Sequence, residues 1–101
     1  MAMKLASPHP HPGEHIREDW MTDFDIKAPT LAKRLGVPRS TLQNVLDERS
    51  AVTAELALRL GRVFGTSAQM WMNLQAEYDL SRAELAMAKE LKAVTPLRAA
   101  E

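Results

Sequence analysis

Between Pro38 and Arg49 the chain places Arg39, Ser40, Thr41, Gln43 and Asn44 within six positions. These side chains carry a guanidinium fork, two hydroxyls and two carboxamides, the groups that match base edges and phosphate oxygens of double-stranded DNA. Arg39 can give guanine O6 and N7 two parallel bonds, Gln43 or Asn44 can do the same for adenine, and Ser40 and Thr41 suit base or backbone. Lys33, Arg34 and Arg49 add full positive charges on either side.

The charge balance supports one local binding face rather than a uniformly basic protein. Thirteen Lys and Arg meet thirteen Asp and Glu, for a formal net charge of zero. Residues 1–26 sum to −3, residues 27–62 to +4 and residues 63–101 to −1. Bulk charge therefore does not hold this chain on nucleic acid, but a basic middle segment suits a single interface.

To present the polar run, the chain needs a short helix held at a fixed angle by another. Pro29 is tolerated in a first helical turn, and Leu31, Ala32 and Leu35 form the stripe of a second helix. Gly36 reverses the chain and Val37 plugs the angle. Pro38 opens a third helix that turns Leu42, Val45 and Leu46 inward and Arg39, Ser40, Gln43, Asn44 and Asp47 outward. Residues from about 29 to 47 thus read as a helix-turn-helix, whose second helix enters a major groove about 12 Å wide. Helical hairpins with polar outer faces are also common, and simple solvation accounts for Gln43 and Asn44 equally well. Periodicity leaves both readings open.

The other elements follow from spacing. Met1–Pro12 alternates Pro8, Pro10 and Pro12 with His9 and His11 and is expected as an extended arm. Ile16, Trp20 and Phe24 recur every four residues and predict a first helix ending near Asp23. Thr53 caps a fourth helix with the stripe Leu56, Ala57, Leu60, Val63 and Phe64, closed at Gly65. Thr66 and Ser67 start a fifth, with Trp71, Leu74 and Tyr78 on one face. Ser81 with Glu84 three residues on forms a capping box for a sixth, which Thr95 and Pro96 end. No run alternates as a strand does. The expectation is an all-α, compact bundle of five to six helices: an arm at 1–12, a DNA-binding and dimerisation domain at 13–93, and a tail at 94–101.

Several function classes lose support. Without cysteine there is no disulfide, thiolate nucleophile or cysteine zinc site. No phosphate loop, nucleophile elbow or catalytic His–carboxylate set is present, so no enzyme and no cofactor are expected. His9, His11 and His15 invite a metal, but the prolines hold His9 and His11 extended and no carboxylate sits at a confirming spacing; no metal is expected. Trp20, Trp71 and Tyr78 suggest base stacking, yet their helical spacing favours packing. No apolar run approaches the roughly 20 residues of a membrane helix, and a cytoplasmic location is expected.

Four blocks in order, HPGEHIREDW at 11–20, LAKRLGVPRSTLQNV at 31–45, TAELALRL at 53–60 and GTSAQMWMNLQAEYDL at 65–80, resemble the HigA group of antitoxins within the lambda-repressor-like helix-turn-helix family. The resemblance covers about residues 11–80. It implies a homodimer that binds operator DNA, represses its own operon and pairs with a small mRNA-cleaving toxin of the HigB type. A free-standing dimeric repressor without a toxin is the alternative. Carried over by position, base reading falls on Arg39, Ser40, Gln43 and Asn44, with Thr41 and Arg49 at the backbone. Pro38 departs from the usual Ser or Thr cap, and Glu48 stands where a glycine commonly ends the reading helix. The apolar surplus of Met70, Trp71, Met72 and Leu74 marks the expected dimer seam. The acidic residues Glu14, Glu18, Asp19, Asp23 and Asp25 complement a basic toxin, or are simply a solvated face.

Overall fold

The computed structural model describes residues 9–97. Residues 1–8, most of the expected arm, and 98–101, the end of the expected tail, lie outside the described residues.

Six helices account for the regular structure, and there is no strand among the described residues. The first, α1, is built from three abutting stretches: an α-helical turn at Pro12–His15, a π-helical turn at Ile16–Trp20 and an α-helical turn at Met21–Asp23. His11, not a Ser or Asp, caps it, with Nδ1 accepting from the Gly13 N–H at 2.8 Å. His11 and Pro12 are therefore built into the body rather than into an arm, and both are buried. The π turn has a packing consequence. In a plain α-helix each four-residue step overshoots a full turn by about 40°, and a wider turn takes part of that back. Ile16 enters the core while Trp20 still meets Phe64 at 5.1 Å and Trp71 at 5.7 Å between ring centroids.

Helix α2 spans Ala28–Leu35 and α3 spans Arg39–Leu46. Between them Gly36 adopts φ +75°, the left-handed geometry that glycine takes without steric cost. Helix α4, Ala54–Phe64, starts as its sequence demands: the Thr53 hydroxyl accepts from the Leu56 N–H at 3.2 Å, and Gly65 closes the far end at φ +76°. The inner stripes of α2, α3 and α4 meet in one core, where Leu31, Leu42, Val45 and Leu60 are almost wholly buried. Each such aliphatic side chain contributes about 1.5–3 kcal/mol relative to exposure.

The C-terminal region departs from expectation. Helix α5 runs without a break over Ala68–Ala86, and only Ala88–Lys92 forms a separate α6. Ser81 caps nothing: it lies buried inside α5, accepts the His9 N–H at 2.9 Å and donates to the Tyr78 carbonyl at 3.0 Å. No glycine or proline interrupts residues 66–95, so helix propagation prevails over a local capping signal. Past Ser81 every described residue is exposed, and α5 leaves the body of a molecule measuring 53 × 24 × 20 Å. Among the described residues no helix is long and apolar enough to cross a membrane.

Candidate nucleic-acid interface

The outer side of α3 is assembled from its own first turn. Pro38, at φ −61° and ψ 146°, is the cap residue and offers no side-chain bond. Its carbonyl nonetheless accepts from the Thr41 and Leu42 N–H groups. Arg39 and Ser40 thus occupy the first two helical positions, where backbone N–H groups have no intrahelical partner and the helix dipole favours anions. Arg39, Ser40, Thr41 and Asn44 are all exposed, and Arg39 enters no ion pair among the described residues. Thr41 and Asn44 also border a cleft of about 320 Å³ shared with Ser50, Thr53 and Arg59.

Two other candidates are tethered. Gln43 is half-buried and donates to Asp47 Oδ1 at 3.0 Å, while Arg49 Nη2 donates to Asp47 Oδ2 at 3.0 Å. The Asp47 carboxylate therefore engages one donor of each. Lys33 and Arg34 lie exposed in the last turn of α2.

The end of α2 is tied to α4 by a residue that spacing does not single out. Arg59 on α4 donates through Nη1 to the Leu35 carbonyl at 2.8 Å and lies 3.4 Å from the Gly36 carbonyl. It occupies the end of α2 at the reversal itself. Behind α3, the buried Gln75 of α5 accepts the Val52 N–H through Oε1 at 2.7 Å, fixing the loop between α3 and α4. Arg17 on α1 reaches the exit of α3, where its Nη1 donates to the Leu46 carbonyl. Beside it Glu48 sits at φ +64°, so the backbone takes at this position the left-handed turn that a glycine would adopt freely.

One expected seam residue belongs elsewhere. Trp71 is 0% exposed, packs on Trp20 and Phe64, and donates its Nε1–H to Thr66 Oγ1 at 2.8 Å. It is a core residue, since a side chain with no accessible surface has none left for a second subunit. Met70, Met72 and Leu74 are partly buried against the same core. His11 likewise has structural work: it stacks edge-on against Tyr78 at 4.8 Å, with Nδ1 engaged by Gly13.

No family model matches the chain. Virulence-associated protein I of Dichelobacter nodosus is 43% identical over 83 residues, covering 82% of this chain and 77% of the relative. The Pseudomonas aeruginosa antitoxin HigA, solved with the higBA promoter, matches with a TM-score of 0.85 at 42% identity, covering 89% of this chain and 99% of that one. The chain belongs to the HigA family of antitoxins. A second Pseudomonas aeruginosa structure, a protein in complex with its 18-bp operator DNA, matches with a TM-score of 0.88 at 42% identity over 93% of this chain and 99% of that one. At such coverage the HigA-family likeness includes α1 and most of α5 as well as the helix-turn-helix.

Proposed function

We propose that this HigA-family protein is the antitoxin of a toxin–antitoxin module, which binds operator DNA as a homodimer, represses its own operon and neutralises a HigB-like mRNA-cleaving toxin by binding it, in the cytoplasm. The observation that carries the reading is the outer face of α3. Arg39, Ser40, Thr41 and Asn44 stand exposed at the start of a short helix, with Lys33 and Arg34 on the helix before it. In this reading α3 lies in the major groove, Arg39, Ser40 and Asn44 meet base edges, and Lys33, Arg34, Thr41 and Arg49 meet phosphates. Gln43 joins the base contacts through the amide hydrogen and oxygen that Asp47 leaves free.

Dimerisation fits the short readout of a single α3, because two-fold partners read half-sites about one helical turn apart. The surface proposed for the seam is the apolar run of Leu80, Leu85, Met87 and Leu91, with the half-buried Met70, Met72 and Leu74 toward the body.

Titration of duplex DNA from the region upstream of this gene, at several salt concentrations, tests the DNA reading. Arg39→Ala should lose about 1–3 kcal/mol of discrimination at one base pair of each half-site, whereas Arg49→Ala should weaken all sequences alike and flatten the salt dependence. Equal, sequence-independent losses from both would remove Arg39 from the reading face.

A further inference from the structure

The last carbonyls of a helix have no partner within it and must be satisfied from outside. At the exit of α3 these groups can be followed one by one. The Gln43 carbonyl accepts the Asp47 N–H at 2.8 Å, the Asn44 carbonyl accepts Arg49 and Ser50 N–H at 2.8 and 3.2 Å, and the Val45 carbonyl accepts the Glu48 N–H at 3.0 Å. Leu46 receives no backbone donor among these bonds. Its carbonyl is taken by Arg17 Nη1, from a helix 29 residues earlier in the chain. The same guanidinium spans the exit turn, with Nη2 3.5 Å from Glu48 Oε2 and Nε 3.2 Å from Glu18 Oε2. The backbone beneath it leaves little freedom, because α1 presses on α3 so closely that a Cβ on Gly13 would lie 1.9 Å from the Val45 carbonyl oxygen.

We infer that Arg17 is a positioning residue for operator reading: its guanidinium caps the C-terminal end of α3 and so sets the placement of Arg39 and Asn44 at the other end and along the outer face, without touching DNA itself. The inference rests on the reading that α3 is the base-reading helix. A helix of eight residues is too short to hold its own orientation, and side chains that read base edges must be held to within about 0.5 Å by the residues behind them. The fork geometry matters, since one group must donate to a carbonyl and face two carboxylates at once.

The test uses the full chain, with Arg17→Met, which keeps the aliphatic stem, and Arg17→Lys, which keeps one cationic donor. Each is titrated with a duplex from the region upstream of this gene and with a scrambled duplex of equal length and composition, across a salt series. Amide exchange is followed by NMR in parallel. Arg17→Met should bind the upstream duplex about tenfold more weakly, a loss of about 1.4 kcal/mol, with scrambled-duplex affinity and salt slope unchanged. Faster exchange should be confined to Asp47–Ser50, and Arg17→Lys should recover part of both losses. Unchanged affinity despite faster exchange at the exit would overturn the inference, as would an equal loss on both duplexes with a shallower salt slope, which would make Arg17 a phosphate contact. A wild-type protein with no preference for the upstream duplex would instead remove the α3 reading, and the inference with it.

Discussion

Protonation of His11 would convert the acceptor of the Gly13 N–H into a second donor, leaving that buried amide unpaired. Burial holds the imidazole below its ordinary value of about 6.5, helped by Arg17, and Glu48, the Ser50 backbone and Asp79 pull the other way without reversing it. Because the folded value is the lower one, the unfolded chain takes up the proton first. The stability contributed by neutral His11 is complete above about pH 6.5 and is lost as pH falls through that value toward the folded one. Denaturant unfolding at a series of pH values should show stability falling as pH is lowered through about 6.5. His11→Asn retains a capping oxygen but cannot titrate, and should flatten that slope; an unchanged slope would place the titration elsewhere.

Backbones approach closely where α1 crosses α3. On propensity alone Gly13→Ala would help a helix by up to about 1 kcal/mol. Its new methyl would, however, meet the Val45 carbonyl oxygen and carbon, at 1.9 and 2.9 Å, and backbone cannot rotate away as a side chain can. The outcome expected is a net loss of about 1–3 kcal/mol, measured by chemical denaturation, together with weaker operator binding because α1 is pushed from the helix it braces. A variant as stable as the wild type would mean that the crossing is looser than this geometry. At the same scale, Thr53, Gly36 and Gly65 act where their types require, since caps and left-handed turns are local to three or four residues. Ser81 carried an equally good local signal and did not act on it, because the helix propagates through it, and its hydroxyl pairs with His9 and Tyr78 instead.

At the scale of the whole molecule, the described surface is divided. The body packs around Trp71, while Leu80, Leu85, Met87 and Leu91 stand 43–65% exposed. Large apolar side chains left exposed within residues 80–91 suit an interaction site. Leu85→Glu with Leu91→Glu should yield a folded monomer in sedimentation equilibrium, because neither residue belongs to the core, with weaker binding to the upstream duplex. A dimer of wild-type affinity would move the seam elsewhere. Elsewhere on the surface, Glu14, Glu18, Asp19, Asp23 and Asp25 are exposed along α1 and the turn after it. Glu18 is occupied with Arg17 and Asp19 lies 3.5 Å from His15 Nδ1, so the cleaner probe of a basic toxin is Glu14→Lys with Asp23→Lys, neither of which is in an ion pair among the described residues. Reversal should slow association with the toxin in a salt-sensitive way and leave operator binding intact. Association rates that do not change would return this cluster to a solvated face.

What the sequence by itself determined is the set of local commitments. Apolar spacing placed α1 to α4 and the start of α5, glycines placed two reversals, and Thr53 and Ser67 opened their helices. The polar residues from Arg39 to Asn44 were legible as an outer face because their neighbours Leu42 and Val45 had to turn inward. Tertiary structure decided which side chains hold that face. Arg17 on Leu46, Arg59 on Leu35 and Gln75 on Val52 join positions 29, 24 and 23 residues apart, and no chain periodicity reaches so far. It also took Trp71 from the expected seam into the core and left the end of α5 exposed. The physical reason is common to all of these: a stripe says that a helix face will be buried, but the crossing of helices in space determines which face covers it and which orphan carbonyl lies within reach of a donor.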